Sequence, residues 1–134
     1  LPVFGSGKYL QQPVFVADVA WACVEVLNHE STKFNDFNIS GKFAYSFIEI
    51  IKIVSKVLNK NTLIVKLPST LIIIILKLIE RSGFRLLIKS EQIQRLNEDK
   101  SFSYNKAAKI FNYSPLSFID GITREINEYK NEKV

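Results

Sequence analysis

The sequence contains no methionine, one cysteine and one histidine among its 134 residues. A single cysteine, Cys23, excludes a disulfide framework and a zinc ribbon, and the single histidine, His29, has no second imidazole with which to share a metal. Cys23 lies within an apolar helical pattern, so we predict a buried thiol that acts as a small hydrophobic group. We predict that His29 lies at the end of a helix with its side chain in solvent. The absence of methionine indicates a chain that was processed or taken from a longer one.

Motifs for nucleotide binding and catalysis are also missing. The glycine-containing stretch 5–8, "GSGK", is not a Walker motif, because Tyr9 follows the lysine where serine or threonine is required. A dinucleotide fingerprint would need glycine at Leu10. No Gly-x-Ser-x-Gly elbow occurs, and the Tyr-x-x-x-Lys spacing occurs only at Tyr129 and Lys133, in the solvated C-terminal tail. We therefore predict that 5–8 is a turn and that the chain has no self-sufficient active site.

The composition indicates a folded domain. Hydrophobic residues make up 47% of the chain and aromatic residues 12%, which is enough for a core within a single domain over residues 1–134. The net charge is +5, but the basic residues are scattered among acids and form no dense basic stripe, which argues against nucleic-acid binding. Lys52, Lys56 and Lys60 recur on one predicted helix; a solvated helix face is favoured over a phosphate-binding patch. The single cysteine and the lack of a signal-peptide pattern suit a reducing, cytoplasmic setting.

The hydrophobic pattern predicts three short strands and about five helices. The strands are expected at 13–16, 34–39 and 62–67. Asp18 is expected to cap a helix over 19–27, which is apolar almost all round and should be largely buried. The resulting fold class is a small α/β unit, α+β for this stretch taken alone, with too few strands for a complete doubly wound sheet.

Cap signals mark the later helices. Ser46 with Glu49 forms a capping box, and Ser117 with Asp120 begins the last helix. Ser69 is expected to cap the helix "TLIIIILKLIERSG" and Gly83 to end it. Its apolar run, 71–76, is too short to cross a membrane. We predict a helix buried in protein; a peripheral membrane contact and a subunit interface are the alternatives.

Three segments of the chain together resemble the second half of an extended or atypical short-chain dehydrogenase/reductase, in the NAD-dependent epimerase/dehydratase family. The first, 12–20 "QPVFVADVA", is similar to the family's strand-to-helix passage. The second, 37–41 "FNISG" followed by 46–50 "SFIEI", is similar to its "asparagine-isoleucine-x-glycine" strand end and "serine-x-x-glutamate" helix. The third, 99–122, resembles its closing lysine-alanine helix, aromatic-x-proline turn and final helix, with Asn112 where the family has glycine.

The resemblance implies that this chain is the C-terminal substrate-binding domain of an enzyme that acts on nucleotide sugars. Such an enzyme uses NAD or NADP, bound with the catalytic tyrosine and lysine by an N-terminal Rossmann half, so this fragment alone would bind no cofactor and catalyse nothing. Relatives often hold the substrate diphosphate with an arginine where this chain has Gln11. The substrate-binding residues that we predict from the loop 7–12 and the segment 95–100 are Lys8, Gln11, Gln12, Arg95 and Lys100.

Partners follow from the same resemblance. They are a UDP- or dTDP-sugar and the N-terminal half, with homodimer formation left open and no transmembrane segment. Two alternatives stay open for the function: a redox-inactive atypical relative that uses the fold for binding or assembly, and a stand-alone interaction module.

Overall fold

The computed structural model describes residues 1–82, 90–95 and 97–132 of the chain. This part contains six α-helices, a 3-10 turn at Glu30–Thr32 and four short strands. The helices are α1 Val16–Asn28, α2 Phe47–Val57, α3 Ser69–Arg81, α4 Ser90–Arg95, α5 Asn105–Phe111 and α6 Phe118–Asn131. The strands are β1 Pro2–Phe4, β2 Leu10–Gln11, β3 Tyr45–Ser46 and β4 Val65–Leu67. The predicted mixed fold of short strands and helices is confirmed.

The strands form two separate two-stranded sheets. β1 runs parallel to β4, with Val3 opposite Lys66, and β2 runs antiparallel to β3, with Gln11 opposite Tyr45. Lys100 extends the second sheet through a parallel bridge to Gln11. The second sheet therefore brings the early loop, the start of α2 and the 98–102 segment together.

The main core lies where α1, α5 and the turn after α5 meet. Ala22, Ala107, Phe111 and Tyr113 form one buried cluster, with Phe37 and Ile39 among the side chains that pack on it. Asn112 makes the turn after α5 with a left-handed backbone, φ 58°, as asparagine can. This turn directs Tyr113 into the core.

Two of the three strand predictions are wrong and the third is confirmed in part. Residues 13–15 are irregular and α1 begins at Val16, while 34–39 lie in turn and coil. Only 65–67 of the stretch 62–67 form a strand. A β-prone sequence becomes a strand only where another strand offers hydrogen bonds, and in the described residues neither stretch has such a partner.

The predicted burial of α1 is wrong for this chain. Of its thirteen residues only Ala22 is buried, whereas Trp21, Val24 and Leu27 are exposed and Cys23 is exposed as well. Asp18 is not the N-cap, which is Phe15; the Asp18 carboxylate instead accepts a hydrogen bond of 2.8 Å from the Leu116 amide. Because the sequence of α1 is apolar almost all round, its pattern could not indicate which side of the helix the rest of this chain would bury.

The cap predictions for α2 and α6 are confirmed. Ser46 Oγ accepts a hydrogen bond from the Glu49 amide, and the Glu49 carboxylate accepts one from the Ser46 amide. Ser117 Oγ accepts a hydrogen bond from the Asp120 amide in the same way. These signals depend on four consecutive residues, so no distant part of the chain was needed to predict them.

The predicted burial of the α3 run is wrong as well. No residue of α3 is buried, and Leu71, Ile74 and Ile75 within the run are exposed. The helix begins at Ser69, with Pro68 rather than Ser69 as its N-cap. Gly83, the predicted end of this helix, lies outside the described residues.

Candidate functional site

The glycine turn at 5–8 is a packed structural element. Gly5 and Gly7 have positive φ angles of 79° and 64°, a conformation that glycine adopts at no steric cost. A Cβ atom on Gly7 would lie 2.7 Å from the Ile48 side chain. The Gly5 amide donates to the Leu67 carbonyl at 2.8 Å, and the Lys8 amide donates to Ser6 Oγ at 3.1 Å. The turn prediction is confirmed, and these two amides are already engaged within the protein.

Gln12 joins the three segments on which the family resemblance depends. Its side-chain nitrogen donates to the Gly41 carbonyl at 2.7 Å, and its side-chain oxygen accepts from the Phe102 amide at 2.7 Å. Ser40 Oγ adds a hydrogen bond of 2.8 Å to the Phe102 carbonyl. Both polar atoms of the Gln12 amide are therefore used to hold backbone segments together, which is a structural role.

Three of the five predicted substrate-binding residues meet in one cleft of about 300 Å³. We name it the Gln11–Lys100 cleft; its lining is Gln11, Gln12, Pro13, Ile39, Ser40, Lys100 and Phe102. The cleft exists because the Lys100 amide donates to the Leu10 carbonyl at 2.8 Å, which holds the two segments side by side. Asp99 Oδ1 strengthens the junction by accepting from the Leu10 amide at 2.7 Å.

Arg95 lies in a second, adjacent concavity of about 460 Å³, lined by Glu91, Arg95, Glu98 and Lys100. Its guanidinium donates to Glu91 Oε1 through two nitrogens, at 2.7 Å and 3.2 Å. Lys100 lines both concavities, and in the described part of the chain it forms no ion pair. Arg95 is partly neutralised by Glu91, and Lys100 shares the second concavity with two acids, Glu91 and Glu98.

Lys8 is the predicted site residue that the structure separates from the others. It is exposed and lies outside both linings. Ile39, Ser40 and Phe102 are lining residues that our sequence prediction of the site missed. They belong to the segments 37–41 and 99–122 that carry the family resemblance, so their motifs were visible but their meeting point was not.

Tyr113 supports the cleft from the core side. Its hydroxyl donates to the Ser40 carbonyl at 3.1 Å. Burial, with smaller effects of the Asp18 charge and of Tyr104, raises the pKa of Tyr113 to about 12. The phenol thus stays neutral at physiological pH and acts as a donor that fixes the backbone of Ser40.

The remaining candidates from the sequence have simple environments. His29 Nδ1 lies 2.9 Å from the Glu25 carbonyl oxygen at the end of α1. Lys52 and Lys56 are exposed on α2, as predicted for a solvated face, whereas Lys60 is exposed beyond the end of this helix. All three line a shallow depression of about 370 Å³. Lys133 of the Tyr129 pair lies outside the described residues.

Within the described ranges, no three His, Cys, Asp or Glu side chains gather to hold a metal ion, and no helix could cross a membrane.

Comparisons with known proteins give structural matches alone. No protein-family model matches the sequence, and no curated protein matches it significantly. Among solved structures, the protein gox2253 is similar over 98% of this chain with a TM-score of 0.75 and 19% identity. This chain covers 39% of that protein.

Two further matches are nucleotide-sugar enzymes. UDP-glucose 4-epimerase from Thermotoga maritima, solved with UDP-glucose, is similar over 100% of this chain with a TM-score of 0.67 and 16% identity. dTDP-glucose 4,6-dehydratase from Bacillus anthracis, solved with NAD, is similar over 99% with a TM-score of 0.67 and 16% identity. This chain covers 36% and 35% of their lengths. Its fold is therefore that of the C-terminal domain of extended short-chain dehydrogenases/reductases, a little over a third of the length of such an enzyme.

Proposed function

We propose that this chain is the substrate-binding C-terminal domain of an NAD(P)-dependent nucleotide-sugar epimerase or dehydratase. The observation that carries the proposal is the extent of the structural match. The whole chain, and not one motif of it, superposes on part of enzymes that are named for UDP- and dTDP-sugars.

The substrate would bind in the Gln11–Lys100 cleft. A nucleotide sugar carries a diphosphate, and an ammonium group without an acidic partner is suited to bind it. Lys100 forms no ion pair in the described part of the chain, although Glu91 and Glu98 lie in the same concavity, and it lines both concavities. Gln11 contributes an amide whose nitrogen makes only a long hydrogen bond, 3.4 Å, to the Glu98 carbonyl. In this proposal Lys100 binds phosphate and Gln11 donates to a polar group of the ligand, while Gln12 keeps the cleft in shape.

The exposed side of α1 would be covered by the N-terminal half of the same protein. Val16, Val24 and Leu27 lie on one side of this helix and are all exposed, and clustered exposed apolar residues of this kind mark interfaces. The stretch 37–39, which we predicted as part of a strand, follows α1 and has no strand beside it in the described residues. A Rossmann sheet in the preceding half would supply both an apolar cover and a strand partner.

NAD or NADP does not fit the residues of this chain. The only glycine-rich turn, 5–8, has its Gly5 and Lys8 amides engaged within the protein, and Gly7 is buried against Ile48. The cofactor, which transfers hydride in enzymes of this kind, would thus be bound by the N-terminal half. A cytoplasmic location and the oligomeric state also stay predictions.

Calorimetry of the intact protein with UDP-glucose and dTDP-glucose tests the proposal. We expect binding of at least one of them, and a loss of about 10- to 150-fold in affinity on Lys100→Gln, because a charged hydrogen bond to phosphate is worth about 1.5–3 kcal/mol. Lys8→Gln is the matched control: it removes the same charge from the loop outside the cleft and should leave affinity unchanged.

Two outcomes would contradict the proposal. Equal losses in the two variants would show that the effect of Lys100 is general charge and not a site. NAD binding without binding of any nucleotide sugar would favour the redox-inactive relative. The coding region upstream gives an independent check, since a reading frame without a glycine-rich loop and a Tyr-x-x-x-Lys pair would favour the stand-alone module.

A further inference from the structure

Helix α3 has two apolar sides, and one of them has no cover in the described part of the chain. Ile72, Ile73, Leu76, Ile79 and Glu80 are half-buried, and α3 packs mainly on α4. The exposed side carries Leu71, Ile74, Ile75 and Leu78, which are 57%, 52%, 47% and 65% exposed. At about 100° per residue these four side chains fall within an arc of about 100°. We name them the α3 stripe.

The charges on α3 are arranged asymmetrically around this stripe. Lys77 and Arg81 are exposed and lie along one border of the stripe on the helical wheel. The only acid of the helix, Glu80, points to the opposite side. Its carboxylate accepts hydrogen bonds from the Ser90 amide at 2.8 Å and the Ser90 hydroxyl at 3.0 Å. The free charge beside the α3 stripe is therefore positive.

We propose that the α3 stripe binds the surface of an anionic lipid membrane. A helix with an aliphatic stripe and basic residues at its border lies in the interface, with the stripe among acyl chains and the cations at the headgroups. The stems of Lys77 and Arg81 can extend along the stripe while their charges reach lipid phosphates. At thirteen residues, α3 is about 20 Å long, which suits a helix that lies along the membrane surface.

Charge complementarity favours this occupant over a second copy of the chain. Two α3 stripes packed on each other would bring Lys77 and Arg81 of both copies to one interface. Neither helix has a free carboxylate to pair with them, because Glu80 is held by Ser90. An anionic bilayer supplies the missing negative charge. This inference concerns a different face from the Gln11–Lys100 cleft and does not depend on the proposed function.

Flotation of the intact protein with lipid vesicles tests the proposal. We expect binding to phosphatidylcholine vesicles that contain phosphatidylglycerol and much weaker binding to phosphatidylcholine alone. Replacing both cations, in Lys77→Gln/Arg81→Gln, should weaken binding by about fivefold for each basic residue, and added salt should weaken it further. The charge-matched control, Lys109→Gln/Lys130→Gln, removes two exposed lysines from other helices and should bind like the wild type.

A second pair of variants tests the apolar contact. Ile74→Gln/Leu78→Gln removes the centre of the α3 stripe and should abolish vesicle binding. Leu63→Gln/Ile119→Gln replaces a leucine and an isoleucine that are exposed elsewhere and should retain it. All four side chains are exposed, so the variants should keep the circular dichroism of the wild type.

Three results would overturn the proposal. One is equal flotation of the Ile74→Gln/Leu78→Gln variant and the wild type. Another is equal binding to neutral and anionic vesicles. The third is a dimer that becomes a monomer in the Ile74→Gln/Leu78→Gln variant, without vesicle binding by either protein; the α3 stripe would then be a contact between copies of this chain.

Discussion

Gly41→Ala, which adds one methyl group where Gly41 packs on Pro13 beside the Gln11–Lys100 cleft, should strongly destabilise the protein. A Cβ atom on Gly41 would lie 2.7 Å from the carbonyl carbon of Pro13, and closer still to its oxygen. Real Cβ atoms do not approach other atoms so closely. The obstacle is backbone, so no change of rotamer can relieve the overlap, and one of the two segments must move.

The movement has a cost that can be estimated from the contacts around Gly41. Reaching a normal separation of about 3.5 Å from the Pro13 oxygen requires a shift of about 1 Å or more. This shift would break the hydrogen bond from Gln12 to the Gly41 carbonyl, 2.7 Å, and that from Tyr113 to the Ser40 carbonyl, 3.1 Å. Overpacking strain of about 1–3 kcal/mol and about 1 kcal/mol for each hydrogen bond together give about 3–5 kcal/mol.

Urea unfolding followed by tryptophan fluorescence measures this cost. The chain has one tryptophan, and the Trp21 ring centroid lies 6.2 Å from that of Phe111 and 6.3 Å from that of Tyr113, so its emission reports on the main core. Gly121→Ala is the matched control. The side-chain atoms nearest to a Cβ atom there belong to Phe15, at 3.4 Å or more, and alanine favours the helix by up to about 1 kcal/mol.

The urea midpoints of the two variants test the estimated cost of Gly41→Ala. We expect a much lower urea midpoint for Gly41→Ala and an unchanged or higher midpoint for Gly121→Ala, with equal dependence on urea concentration in both. If Gly41→Ala unfolds at the midpoint of the wild type, the close packing of Gly41 on Pro13 would be refuted. The account of how the cleft is held together would then fail as well.

Three further predictions concern individual hydrogen bonds. Gln12→Ala should lower the free energy of unfolding by about 2 kcal/mol, since two hydrogen bonds are lost, whereas Gln11→Ala should lower it by less than about 1 kcal/mol; urea titration compares them. Because the pKa of Tyr113 is raised to about 12, above its value of about 10 in the unfolded chain, the stability due to its neutral phenol should be complete below pH 10 and decline as the pH rises toward 12. Tyr113→Phe should remove that part of the decline in a pH series of urea titrations. Ser46→Ala should cost about 1 kcal/mol in thermal unfolding followed by circular dichroism; an unchanged melting temperature would contradict the role of the cap.

The sequence predictions that are confirmed concern interactions between residues close together in the sequence, and those that are wrong concern distant ones. The caps at Ser46 and Ser117 and the turn at 5–8 were predictable because each depends on a few consecutive residues. The strands that we predicted at 13–16 and 34–39 do not form, because strand formation depends on a partner strand that the described part of this chain does not supply.

The grouping of the candidate site residues was predictable only in part, for the same reason. Gln11, Gln12 and Lys100 meet in one cleft, but Lys8 lies apart and Arg95 pairs with Glu91. Sequence patterns marked the segments as containing polar residues in loops. These patterns could not indicate that the Gln12 side chain hydrogen-bonds to the backbone of both Gly41 and Phe102, because these partners lie 29 and 90 positions away in the sequence.

The sequence by itself determined that this chain forms capped amphipathic helices around short strands and that it contains no complete catalytic motif. Helix caps, glycine turns and hydrophobic periodicity act over one or two turns of chain, so they can be recognised without a fold. Only the tertiary structure decided which apolar side chains are covered. The fold leaves α1 and the α3 stripe exposed, because burial depends on the other elements that a helix meets and not on its own composition.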